Sequence, residues 1–89
     1  MASVLVVEDR DTLRRMLTRA LEQEGHEVCA VESGERAIER LGDGAFDLVL
    51  TDLKLPGASG IEVLEAARAR QPSAPVVVMT GYGTVEAAV

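Results

Sequence analysis

Acidic and hydroxylic side chains stand directly behind three apolar runs of this 89-residue sequence. Glu8-Asp9 follows Val4–Val7, Asp52 follows Leu48–Thr51, and Thr80-Gly81 follows Val76–Met79. Carboxylates gathered in one place repel, by on the order of 3 kcal/mol for a pair ~5 Å apart at an effective dielectric of ~20. Protonation relieves that repulsion, and so does a hard divalent cation. Mg²⁺ takes oxygen ligands, keeps several waters and is commonly held by one or two carboxylates beside a phosphate. The Thr80 hydroxyl and backbone N–H groups near Gly81 suit phosphate oxygens. A carboxylate can also attack phosphorus itself, forming an aspartyl-phosphate.

Each piece has an ordinary reading when taken alone. Glu8, Asp9 and Asp11 favour a helix N-terminus. Asp52 is a turn starter, Pro56-Gly57 is a turn, and Thr80 can simply finish a strand. Lys54 and Tyr82 read singly as solvated surface. The chemistry rests on their joint placement, so the elements that would bring them together matter.

The three runs are continuous rather than alternating, which fits strands covered on both faces, as in parallel sheets. A weaker strand over Val28–Val31 reads as an edge, with Cys29 a packed thiol within it and His26 a solvated turn residue before it. Leu13, Met16, Leu17, Ala20 and Leu21 form one helical stripe, closed by Gly25. Ser33 caps a second helix carrying Ala37, Ile38 and Leu41, with Gly42 after it. Ser59-Gly60-Ile61-Glu62 is a capping box that starts a third, with Ile61, Leu64 and Ala67 inward. Pro72 and Pro75 lead to the last strand. Thr84 caps a final helix over Val85–Val89. Helical charges such as Arg14, Arg15, Glu22, Glu39 and Arg40 read as solvated faces. Strand and helix alternate, which argues for an α/β fold with an open parallel sheet and right-handed crossovers. All strand C-termini then share one edge. If the first and third strands are neighbours, ~4.8 Å apart, Glu8, Asp9 and Asp52 meet there.

Composition narrows the function. Apolar residues are 47% of the chain, so it has the means to build a core, an aliphatic one with a single Phe and a single Tyr. The net charge of −6 argues against direct nucleic-acid contact. A lone cysteine forms no internal disulfide, and a reducing, cytoplasmic setting fits. Met1-Ala2-Ser3 leads straight into a short apolar run without a basic n-region, so no signal peptide is expected, and no apolar run is long enough for a membrane span. A phosphate-loop NTPase is disfavoured because its glycine-lysine signature does not occur.

The stretches "VLVVEDRDTLRRML", "DLVLTDLKLPGASGIEVL" and "VVVMTGYGTVEAAV" resemble the receiver domain of bacterial two-component response regulators. The last two most resemble the nitrogen-regulatory activators that work with sigma-54 polymerase. The resemblance covers residues 1–89 as one receiver domain. It implies a flavodoxin-like sheet of order 2-1-3-4, with a fifth strand and helix missing. It implies that Asp52 is the phosphoacceptor for a histidine kinase and Thr80 the switch hydroxyl. It also implies Mg²⁺ held by Glu8, Asp9, Asp52 and the backbone carbonyl of Lys54, with Gly81 contacting the phosphoryl group. The family's fifth strand ends in a lysine absent from this sequence, where Lys54 is the only lysine. Two expectations follow: phosphotransfer by these 89 residues is slow or absent, and Val76–Met79 is a bare edge that pairs with other copies in a homodimer or higher assembly. The resemblance makes the chain a self-modifying phosphoacceptor rather than an enzyme, regulating a transcription-activating output outside it. Two rivals are a receiver-like interaction module that is never phosphorylated and an aspartate-nucleophile phosphohydrolase. Lys54 stands where the latter needs a second carboxylate.

Overall fold

The three apolar runs lie within strands, and the segments with helical apolar spacing form helices. A computed structural model, which describes residues 1–80 and 83–87, gives β1 (Ser3–Val7), α1 (Asp11–Gln23), β2 (Glu27–Val31) and α2 (Gly34–Asp43). Then come β3 (Leu48–Asp52), α3 (Gly60–Arg70), β4 (Val76–Thr80) and β5 (Gly83–Ala87). The sheet order is β2-β1-β3-β4-β5. The first four strands are parallel and β5 is antiparallel to β4.

Right-handed crossovers put α1 on one face of the sheet and α2 and α3 on the other. The contacts agree: among the described residues α2 and α3 touch each other, whereas α1 touches only β1 and β2. The core lies under α2 and α3, where Leu5, Val7, Val49, Val76 and Val78 meet Ala37, Leu41, Val63 and Ala67. Cys29 packs against it, as the sequence indicated.

Several expectations need correction. The segment expected to form a helix from Thr84 is strand β5, while Ala88 and Val89 lie outside the described residues. A helix of that length barely passes its nucleation cost, whereas an apolar strand edge offers main-chain partners at once. For the same reason β4 is not a bare edge: Val76 to Thr80 pair with Ala87 to Gly83. That removes the premise for joining two copies through β4. Gly42 lies inside α2, and Gly44 is the C-cap.

Ile61 does not face inward; it is 47% exposed, and Gly60, Val63 and Ala67 form the buried stripe of α3. The cause is Gly60. A Cβ there would collide with the Asp52 carbonyl oxygen and lie 2.8 Å from Leu53 Cα, so this face must turn inward. The stripe on α1 is only half-covered, with Met16 62% exposed and no residue of the helix fully buried. His26 does more than meet solvent: its Nδ1 accepts a hydrogen bond from the Ala2 N–H at 3.1 Å.

Candidate functional site

Register decides what meets at the carboxyl edge. Val7 pairs with Thr51, and Asp52 with Met79. Glu8, one residue beyond β1, therefore falls beside Asp52, held by its N–H donating to the Val31 carbonyl at 3.1 Å. Asp9 follows where the chain leaves the sheet. Carboxylate oxygens of Glu8, Asp9 and Asp52 all lie within 4.8 Å of one another. Glu8 is fully buried, Asp52 half-buried and Asp9 exposed. The structure thus brings together three of the residues singled out from the sequence.

Lys54 is exposed in the loop after β3. That loop closes on itself, with the Gly60 N–H donating to the Leu53 carbonyl at 2.9 Å. Its far side rests on α2, where Glu35 Oε1 accepts from the Ala58 N–H at 3.3 Å. Gly57 turns it with φ 75°, a conformation that favours glycine. At the next strand end, the Thr80 backbone follows Met79, the partner of Asp52. The Thr80 side chain, Gly81 and Tyr82 lie outside the described residues.

Two arginines complete the site. Arg10 Nε donates to Glu8 Oε2 at 3.1 Å and Nη2 to Oε1 at 3.3 Å. The Arg10 backbone N–H also donates to Oε2, at 2.9 Å. Nη2 stands 3.9 Å from Asp52 Oδ2, an ion pair without a hydrogen bond. Burial pushes the Glu8 carboxyl up, but the hydrogen bonds and charge of Arg10 outweigh it and hold the carboxyl below its ordinary range. The Arg10 guanidinium is correspondingly held above its own, mainly by the hydrogen bond to Glu8. Arg14 Nη1 donates to the Glu8 backbone carbonyl at 3.1 Å, and its Nη2 pairs with Asp11. Arg14 is therefore not the solvated side chain its helical position indicated. Sequence reasoning passed over Arg10. Its signal was its place, directly after an acidic pair at a strand end, where a cation faces carboxylates.

The donor set suits a small hard cation. All three side chains offer oxygen. At Mg–O distances of ~2.1 Å, an octahedral ion holds adjacent oxygen ligands about 3 Å apart and opposite ones about 4.2 Å apart. Three oxygens within 4.8 Å of one another therefore draw closer together to share it. Such a cation and the present position of the Arg10 guanidinium compete for Glu8 and Asp52.

Comparison with known proteins gives one answer. The family described as "Response regulator receiver domain" matches residues 4–89. The response regulator protein FleR of Pseudomonas aeruginosa is 46% identical over 88 residues, 99% of this chain and 19% of FleR. The DNA-binding transcriptional regulator NtrC of Escherichia coli is 35% identical over 86 residues, 97% of this chain and 18% of NtrC. The chain thus spans about a fifth of the length of these curated relatives. The response regulator TrrA of Thermotoga maritima, solved with Mg(2+)-BeF, superposes with a TM-score of 0.85 at 36% identity, over 92% of this chain and 71% of TrrA. TrrA in complex with the histidine kinase ThkA superposes at 0.83, with 36% identity over 93% of this chain and 72% of TrrA.

Proposed function

The chain belongs to the response regulator receiver domain family, and from that premise we propose that Asp52 accepts a phosphoryl group from a partner histidine kinase. One observation carries the reading: the carboxylate of Asp52 ends a sheet strand within 4.8 Å of those of Glu8 and Asp9. An Asp52 oxygen forms the new bond to phosphorus. The phosphorus–nitrogen bond to the donor histidine breaks, and the electron pair stays on that nitrogen. Glu8, Asp9, Asp52 and the Lys54 carbonyl hold Mg²⁺, which when bound neutralises charge on the phosphoryl oxygens. β3 delivers the nucleophile on a rigid element, and the glycine contact at Gly60 fixes the backbone beneath it. Thr80 is the switch hydroxyl and the Gly81 N–H a phosphoryl contact.

The kinase partner is supported by the TrrA–ThkA complex and the metal by the Mg(2+)-BeF complex of TrrA. The match to NtrC supports the sigma-54 activator resemblance and a transcriptional output beyond residues 1–89. No described helix is long and apolar enough to cross a membrane, and a cytoplasmic site of action fits the proposed kinase and output. The chain is then a phosphoacceptor that carries out its own modification, not a turnover enzyme.

Intact-mass measurement after incubation with acetyl phosphate and Mg²⁺ tests the reading. Incorporation of one phosphoryl group is expected, abolished by Asp52→Asn. Incorporation that persists in Asp52→Asn overturns it. No incorporation, with Mg²⁺ binding indifferent to Asp52→Asn, supports instead a receiver-like interaction module.

A further inference from the structure

We propose that Arg10 is a resident counter-cation of the carboxylate site, which divalent metal must displace, so that this side chain sets the metal affinity. The inference rests on the metal role just proposed for Glu8, Asp9 and Asp52.

Four observations carry it. The Glu8 carboxylate is fully buried, and both of its oxygens accept from Arg10. The Arg10 Nη2 lies between Glu8 and Asp52, at 3.3 and 3.9 Å, bridging two of the carboxylates that a cation would bridge. The Arg10 side chain is 66% exposed, so it reaches in from solvent and has room to leave. Finally, the Arg10 backbone N–H holds Glu8 Oε2 at 2.9 Å independently of the guanidinium. When the side chain swings away, the buried carboxylate keeps one hydrogen bond and gains a metal in exchange for the other two.

A guanidinium beside the metal would set like charges against each other, so the two occupants exclude one another. Exclusion of this kind is reciprocal: what Arg10 contributes to the metal-free chain is lost when metal binds. The device keeps a buried, ionised glutamate paired in the absence of metal, at the expense of metal affinity.

Calorimetric titration with Mg²⁺ of wild type, Arg10→Met and Arg10→Lys, each also melted with and without Mg²⁺, tests the proposal. Arg10→Met keeps the aliphatic stem and removes the charge. It is expected to bind Mg²⁺ roughly tenfold more tightly, to melt at a lower temperature without metal, and to gain more from Mg²⁺. Arg10→Lys, which keeps a charge but not the two-pronged geometry, should fall between. Affinity equal to wild type within about twofold, or weaker, overturns the proposal while leaving the metal site intact. Mg²⁺ binding by neither chain overturns both. Should Arg10→Met not fold, wild type alone decides through the NMR signal of the Arg10 Nε–H. That signal is expected to shift and lose its exchange protection as Mg²⁺ saturates, and an unchanged signal overturns the proposal.

Discussion

Alternate residues of β3 meet different fates. Val49 and Thr51 are completely buried, while Leu48, Leu50 and Asp52 are half-buried. β4 follows suit, with Val76 and Val78 buried on the α2–α3 face and Val77 and Met79 half-buried on the α1 face. In the central strand β1 both faces are closed, Leu5 and Val7 on the α2–α3 side and Val4 and Val6 on the α1 side. Two helices cover the first face and α1 alone covers part of the second. Asp52 belongs by its period to the second face, and its backbone is braced from the first through Gly60. The dry face supplies the rigidity that the proposed nucleophile needs, and the wetter face supplies its access.

The strongest way to break that contrast is to cut equally on both sides. Leu5→Ala removes a fully buried side chain and should cost about 2–5 kcal/mol, a large share of the stability of so small a domain. Leu50→Ala, on the half-covered face, should cost about 1 kcal/mol. Urea midpoints of the two variants compare them directly. Equal losses would mean that the two faces contribute alike.

A smaller effect tests the brace between them. Gly60→Ala drives a Cβ into the Asp52 carbonyl and Leu53 Cα, both backbone and unable to yield cheaply. A loss of about 1–3 kcal/mol is expected, together with weaker Mg²⁺ binding as Asp52 shifts. Unchanged Mg²⁺ affinity would separate the brace from the site.

The site edge also carries a pH signature. The Glu8 carboxyl is lowered in the folded chain from its ordinary 4.5. Its contribution is therefore complete above that value and is lost as pH falls through the lowered folded value. A pH series of unfolding midpoints should show an acid limb that Glu8→Gln flattens. A limb of the same steepness in the variant would assign it to other carboxylates.

Much of this was legible because strand ends and caps are local signals. The Ser59–Glu62 capping box appears with both hydrogen bonds in place, and Ser33 accepts from the Arg36 N–H. Continuous apolar runs argued for a parallel sheet with one shared edge, while the adjacency of β1 and β3 that brings Glu8, Asp9 and Asp52 together was implied by the resemblance to receiver domains. What was misread depended on partners remote in sequence. Ile61 was given the inward face because the approach of Gly60 to the β3 backbone has no sequence period. Arg14 read as a solvated charge until the fold set it against the Glu8 carbonyl, whereas Arg10, only two residues from Glu8, was passed over although its signal was local. The strand β5 was hidden because the edge it covers belongs to β4, so tertiary pairing overrode a weak helix start.

The least effect is expected where the sequence pattern was strongest. The stripe on α1 repeats at ideal spacing, yet Met16 remains 62% exposed and Leu13, Leu17 and Leu21 are only half-buried. Periodicity alone assigns Met16 a core role; coverage by one helix does not. Met16→Gln separates these readings, because the two residues have nearly equal helix propensity and any loss reports burial. We expect a change within about 0.5 kcal/mol, as for a surface substitution. A loss near that of Leu50→Ala would show that α1 packs more closely on the sheet than the exposed methionine allows. The two faces would then be more alike than their burial indicates.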